Sequence, residues 1–472
     1  MFKINNTFIN GSFIQNNQKT YFDLINPSSE DIYGKLECTS IQNLEKAILS
    51  ACNAEEECAN LSIDNRKNIL LQILDGIIKR REELAEIITL EMGAPINLSK
   101  NAHIQMGIDH LKNTIKILDN YEFETFEDGY KVLRVPIGVT ALITPWNWPL
   151  NQTLTKISSA IAAGCSIVIK PSEFCALSSK VLAEIINNSD MPRGGFNMVN
   201  GIGSELGPII SEHKMINMIS FTGSTQVGIN IQERAAKTVK RVSLELGGKS
   251  AHIICDDVDL NKAIPNAINQ CFINSGQSCS APTRLLVPED KINEIKKIAI
   301  NHVNTIKTGD PLSNETALGP VVNAKQFNNI QNHIKNAIDS SCELIVGGID
   351  RPQNINKGFY VKPTIFANVP ENHPIAQEEI FGPVLSIITY KDIENAISIA
   401  NNSKYGLSSY ITSNNPEVAE EISKKIKAGQ TIINKIGRGA VPAPFGGFKM
   451  SGNGREHGVF GLEEYLEIKA II

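Results

Sequence analysis

The chain has 472 residues, 42% hydrophobic and 20% charged, the proportions of an ordinary globular protein with room for about two or three domains. Its formal net charge of −5 and pI near 6.0 argue against nucleic acid or an anionic membrane surface as a partner. Its nine cysteines contain no C-x-x-C pair and its eight histidines no H-x-x-x-H, so neither a zinc site nor a disulfide framework is expected, and no metal.

The first residues, Met1-Phe2-Lys3-Ile4-Asn5-Asn6, lack the apolar core of a signal peptide. No apolar run approaches the ~18 residues that span a bilayer. A soluble cytoplasmic protein with reduced thiols is expected. Over residues 62–91, Ile69, Ile73, Leu74, Ile77 and Ile78 recur at helical spacing until Gly93 and Pro95 close the segment. The basic run Lys79-Arg80-Arg81 inside it is followed at once by Glu82 and Glu83, as on a solvated helix face. Residues 121–135 alternate in part and are rich in Tyr, Phe and Val, which fits a β-hairpin. Short apolar runs then each end in punctuation: 139–144 at Pro145, 166–170 at Pro171, 218–221 at Thr222-Gly223. Polar or helical stretches such as 226–237 separate them. That alternation predicts α/β architecture, a parallel sheet with crossover helices. Ligands bind outside the carboxyl ends of such strands. Asn147, Lys170, Glu173 and Ser224 all follow a predicted strand closely and are expected in one crevice. A second series predicts strands at 284–287, 384–390 and 431–434, with helices at 323–338 and 393–401. This second α/β domain carries Cys279. Residues 464–472 form a terminal β-like run.

Gly276-Gln277-Ser278-Cys279 surrounds its cysteine with residues that give it nothing apolar to pack against. A free cysteine is usually a small core hydrophobe; this setting instead suits a thiolate nucleophile served by backbone donors or a base. Upstream, Glu245 lies between the apolar run Val242-Ser243-Leu244 and the pair Gly247-Gly248. A carboxylate at a strand end beside a tight turn is well placed as a base.

These two segments resemble the signature motifs of the NAD(P)-dependent aldehyde dehydrogenases, in the hydrolytic branch that does not acylate coenzyme A. Pro145-Trp146-Asn147-Trp148-Pro149, Lys170-Pro171-Ser172-Glu173, Phe221-Thr222-Gly223-Ser224-Thr225, Glu378-Glu379-Ile380-Phe381-Gly382-Pro383 and Pro444-Phe445-Gly446-Gly447-Phe448-Lys449-Met450-Ser451-Gly452 resemble further family motifs in the family's order. The resemblance thus extends over nearly the whole chain. It implies a Rossmann-like cofactor domain over 1–118 and 137–246, a catalytic domain over 247–455, and an oligomerisation arm over 119–136 and 456–472 that pairs with a neighbouring subunit in a homodimer or homotetramer. An exposed sheet edge does need a partner.

The same resemblance implies that Cys279 attacks an aldehyde, that Asn147 stabilises the oxyanion together with the Cys279 N–H, and that Glu245 activates the water that releases a free acid. For the cofactor it implies Thr144, Trp146, Lys170, Glu173, Gly223, Ser224, Gly228, Leu246, Glu379 and Phe381. Lys170 and Glu173 would hold the adenine ribose, and a carboxylate there repels a 2′-phosphate, so NAD is preferred with NADP possible. Gly223, Ser224 and Gly228 lead into a helix whose free N–H groups suit a pyrophosphate. Glu379 and Phe381 would hold the nicotinamide ribose and ring. Gly201-Ile202-Gly203-Ser204-Glu205-Leu206-Gly207 looks like a dinucleotide fingerprint with one residue too many and is read as structural support. Asn151, Gln152, Ser278, Ser280 and Arg438 stand where the substrate pocket is expected, which suggests a polar or carboxylate-bearing aldehyde or, equally, groups that face solvent. A cysteine hydrolase would require a histidine paired with the thiol. The nearest downstream candidate, His302, lies in a polar helical setting. A catalytically silent relative would be expected to have lost Cys279 or Glu245.

Overall fold

A computed structural model describes residues 2–16, 20–435 and 442–472. Two large sheets carry the fold. The first has eight strands, and its five central ones are parallel, in the order Arg241–Glu245, Met218–Thr222, Val139–Thr144, Ser166–Pro171, Phe196–Met198. The chain runs outward from Val139–Thr144 in one direction and returns on its other side. The order therefore reverses between Val139–Thr144 and Met218–Thr222, the switch point where parallel sheets open a crevice. The strand Gly452–Asn453, from the stretch expected in the second domain, completes this sheet beside Arg241–Glu245, antiparallel to it.

The second sheet has seven strands. Six are parallel: Thr364–Ala367, Val384–Tyr390, Arg284–Pro288, Ala251–Ile254, Ser408–Thr412 and Gln430–Ile433. The first four are buried nearly throughout and rich in apolar residues, as strands covered on both faces are, whereas the edge strand Gln430–Ile433 is half-buried. Glu124–Glu127, Tyr130–Pro136 and Leu466–Ile471 form a separate antiparallel three-stranded sheet, as the hairpin and terminal run predicted. Its surface is apolar in places, with Phe126 and Ile468 each 75% exposed.

The helix predicted over 62–91 is two helices, Ile63–Lys79 and Arg81–Met92. Ser62 caps the first by accepting from the Asn65 N–H, and Gly93 closes the second in a left-handed conformation. Arg80, between them, pairs with Glu83 and Glu184. Of the apolar residues at helical spacing, Ile69, Ile73, Leu74 and Ile77 are buried, while Ile78 lies at the edge of the stripe and is 48% exposed. Pro149 begins the helix Pro149–Ala163, where its missing N–H would be unsatisfied in any case, and Gly164 ends it. That helix is buried along its whole length, which fixes the residues just before it at the floor of the cleft between the sheets. No helix among the described residues is long and apolar enough to cross a membrane.

Candidate active site

The two sheets meet end to end in a specific sense. Pro145 to Asn147, Gly223-Ser224 and Glu245 follow or finish strands of the first sheet. Cys279 and Phe381 instead come just before Arg284–Pro288 and Val384–Tyr390 of the second. Carboxyl ends of one sheet thus face amino ends of the other across a cavity of about 260 Å³, lined by Trp146, Asn147, Gly223, Ser224, Glu245, Leu246, Cys279, Glu379 and Phe381. A second cavity of about 580 Å³ opens on the other side of the thiol, lined by Trp148, Asn151, Gln152, Ser278, Cys279 and Ser280 among others. Among the described residues, Cys279 is the one that lines both.

The loop that presents the thiol is held by its own hydrogen bonds. The Gln277 amide donates to the Asn274 carbonyl at 3.1 Å and accepts from the Val322 N–H at 2.9 Å. The Asn147 side-chain N–H donates to the Gln277 carbonyl at 3.1 Å, which brings the predicted oxyanion donor beside the nucleophile loop. Gly276 has φ +72°, and a Cβ there would fall 2.1 Å from the Gly382 carbonyl, so only glycine fits. Cys279 is partly exposed. Burial raises the thiol pKa of each of the other eight cysteines, those of Cys58, Cys165 and Cys271 to about 12, which leaves them unreactive.

Glu245 ends its strand with only 2% of its surface exposed. A Cβ on Gly446 would lie 2.8 Å from its Oε1, so the glycine-rich segment leaves the carboxylate its room. Glu379 accepts from the Gly248 N–H at 3.1 Å, and a Cβ on Gly247 would strike its other oxygen at 2.1 Å. Burial pushes the Glu379 carboxyl up to about 7. Phe381 sits at φ +59°, uncommon for a bulky side chain, and its ring meets Trp146 edge to face at 5.5 Å. Gln326, from the helix Ala324–Asp339, holds that loop by donating to the Ile380 and Phe381 carbonyls and also lines the cavity. Its position on a helix face carries no motif, so no local pattern marks it.

The crevice predicted for Asn147, Lys170, Glu173 and Ser224 divides in two. Asn147 and Ser224 line the cavity beside Cys279. Lys170 and Glu173 pair with each other at 3.2 Å at the end of the neighbouring strand Ser166–Pro171, next to Gly203. Gly203 begins the helix Gly203–Glu212, so the fingerprint-like loop supports the lysine. Ser224 caps the helix Thr225–Ala235 without using its side chain, which leaves the first N–H groups open to an anion. Gly228 lies inside that helix and lets it pack on Leu246; a Cβ there would meet the Leu246 side chain at 2.5 Å. Thr144 is buried and shares a hydrogen bond with Thr153 at 3.2 Å. Both act one layer behind the cavity wall. Free N–H groups ahead of Thr225–Ala235, an acceptor at Glu379 and the Trp146 and Phe381 rings on the cavity wall together fit a dinucleotide.

On the other side of the thiol, Asn151 and Gln152 are buried against the second cavity together with Phe272 and Leu318, while Met106 is half-buried and Ile273 exposed at its edge. Asn151 and Gln152 line it and do not face bulk solvent. Arg438 lies outside the described residues. His302 is hydrogen bonded to Asn269 at 2.8 Å on a surface helix. A buried ion pair that sequence spacing could not reveal joins Lys156, on Pro149–Ala163, to Glu456.

A thiol between two cavities, with a carboxylate and an amide on the side where the helix N-terminus opens, defines an enzyme that brings a cofactor and a second substrate together at a cysteine. The chain belongs to the aldehyde dehydrogenase family, whose model matches residues 13–471. A Staphylococcus haemolyticus protein provisionally named an aldehyde dehydrogenase is 42% identical over 464 residues, 98% of each chain. Aldehyde dehydrogenase C of Pseudomonas syringae, solved as a cysteine-to-alanine variant with NAD+ and octanal, superposes with a TM-score of 0.98 at 41% identity, covering 99% of this chain and 96% of that one. Betaine aldehyde dehydrogenase of Staphylococcus aureus, solved with NAD+, gives 0.96 at 34% identity over 99% and 94%.

Proposed function

We propose that this protein oxidises an aldehyde to the carboxylic acid with NAD as the acceptor. The observation that carries the reading is the place of Cys279, at the junction of the two cavities. The Cys279 thiolate adds to the aldehyde carbonyl. The oxyanion that forms is met by the Asn147 amide and the Cys279 N–H, where one donor contributes about 3 kcal/mol. Bound NAD supplies the hydride acceptor. Glu245 takes a proton from the water that releases the acid from the Cys279 thioester. Trp146, Gly223, Ser224, Leu246, Glu379 and Phe381 would hold the nicotinamide half and the pyrophosphate, backed by Thr144 and Gly228. Lys170 and Glu173 would hold the adenine ribose and favour NAD over NADP.

The apolar walls of the second cavity support an aldehyde with a hydrocarbon body, and Asn151 and Gln152 support a polar group on it. Exposed Phe126 and Ile468 on the three-stranded sheet support a homodimer or homotetramer joined through that arm. The cofactor domain is assigned to 1–118 and 137–246 together with the strand Gly452–Asn453, the catalytic domain to the rest of 247–455 and the arm to 119–136 and 456–472. The nine cysteines, without a C-x-x-C pair or regular spacing, support a reducing, cytoplasmic location. An aldehyde panel read by NADH absorbance tests the activity. The unaltered protein reduces NAD with at least one aldehyde, and Cys279→Ala, still folded and still binding NAD, loses about a thousandfold or more. Substantial oxidation by the variant refutes the assignment.

A further inference from the structure

The backbone ahead of the nucleophile is left-handed at three successive residues. Asn274, Ser275 and Gly276 have φ of +56°, +55° and +72°. Glycine adopts that region freely and asparagine tolerates it, but serine rarely does. Such a run persists only where its surroundings over-determine it, and here the Asn274 side chain provides the anchor. Its Nδ2 donates to the Asn147 carbonyl at 2.8 Å and to the Gln277 carbonyl at 3.4 Å. One amide therefore ties the residue that meets the oxyanion to the loop that carries the thiol.

The orientation of that amide is set from behind. Because both carbonyls need a donor, Asn274 must turn its Oδ1 the other way, and there it meets His103 Nε2 at 3.3 Å. His103 therefore carries its hydrogen on Nε2 and donates it. The ring is fully buried, and burial pushes its pKa down to about 3, so it stays neutral. Its Nδ1 is buried without a hydrogen-bond partner, an arrangement that does nothing for stability. The same ring stacks on Trp148 at 4.2 Å, and Trp148 Nε1 donates to Ser278 Oγ at 2.8 Å. His103 ends a π-helical turn, Ser99–His103, inserted ahead of the helix Ile104–Leu118. Such turns re-aim a side chain and are frequent at functional sites.

We infer that His103 and Asn274 are positioning residues that fix the spacing between the Asn147 amide and the Cys279 thiol. The inference rests on the roles proposed above for those two groups. Neither His103 nor Asn274 lines the cofactor cavity. Their loss therefore acts on thiol addition and leaves NAD binding alone.

His103→Phe keeps a ring against Trp148 and removes the donor, while His103→Gln keeps a donor near the same place. Asn274→Gly removes the amide without straining the backbone. With an aldehyde that the unaltered protein oxidises, the rate of the first NADH turnover is expected to fall about tenfold in His103→Phe and about a hundredfold in Asn274→Gly, within the range known for misplaced reacting groups. The KM for NAD is expected to stay within about twofold, and His103→Gln to recover to within about threefold of the unaltered rate. An unaltered first turnover in His103→Phe overturns the inference, as does a KM for NAD that moves in step with the rate. Should Asn274→Gly not fold, the two His103 variants decide the matter. An unaltered protein that makes no NADH with any aldehyde overturns the parent reading, and this one with it.

Discussion

The two cavities that meet at Cys279 are built in different ways. The cofactor side is built mainly of strand ends, tight turns and a helix N-terminus, with Asn147, Ser224, Leu246, Glu379 and Phe381 each in a contiguous motif, and only Gln326 and Asn329 come from a helix face. The substrate side draws far more on helix faces, with Gln105, Met106 and Asp109 from one helix, Asn151 and Gln152 from another, and Asn269, Gln270 and Phe272 from a third, beside the loop residues around Cys279. Backbone groups recognise a constant ligand through fixed geometry, whereas side chains on helix faces can change one at a time without disturbing the fold. The cofactor side is therefore the rigid half of the site, and the substrate side the adjustable one.

Three changes test that division, in decreasing order of effect. Glu173→Gln removes the carboxylate proposed to repel a 2′-phosphate, and the ratio of NAD to NADP efficiency is expected to fall by about tenfold with no change in aldehyde preference. Equal KM values for both cofactors before and after the change would place Glu173 away from the ribose. The second concerns pH. Burial holds the Glu379 carboxyl up at about 7, so it is mostly protonated at pH 6 and mostly ionised at pH 8. The ionised form is the stronger acceptor for a ribose hydroxyl, so the KM for NAD is expected to fall a fewfold across that range. Lys249, which burial pushes down to about 7, sheds its charge over the same interval. Glu379→Gln isolates the carboxylate and should flatten the profile; an unchanged slope would assign it to another group. The smallest effect is expected for Gln152→Leu, which should raise kcat/KM for unbranched alkyl aldehydes about two- to fivefold and leave the KM for NAD unmoved. A change in the cofactor constant alone would contradict the division between the two sides.

The same contrast explains what could be read without a structure. Cys279, Glu245 and Asn147 were legible because each stands in a local pattern of glycine, proline or aromatic residues that chemistry demands at that point. The strands 139–144, 166–170 and 218–221 were legible because apolar runs with sharp stops leave few alternatives, and all three appear within a residue or two of the expected bounds. His103, Gln326 and the Lys156–Glu456 pair were not legible, since each acts through a partner distant in sequence. The break at Arg80 was hidden for a different reason. Its flanking helices are both amphipathic, and nothing in the residues themselves interrupts the pattern; the ion pairs to Glu83 and Glu184 become visible only in three dimensions. Thr144 and Gly228 stand in the right motifs yet behind the cavity wall, because a motif fixes a backbone path and not which side chain reaches the ligand.

The central claim is that Cys279 carries the acyl group from the substrate side until Glu245 delivers water. It is tested most directly with Glu245→Gln, mixed with NAD and an aldehyde substrate, quenched in acid and measured by intact and peptide mass. A burst of NADH close to one per chain should precede slow turnover, and the mass should rise by one acyl group located on the Cys279 peptide. An unmodified Cys279 during full-rate turnover, or an acyl group on another residue, would contradict it.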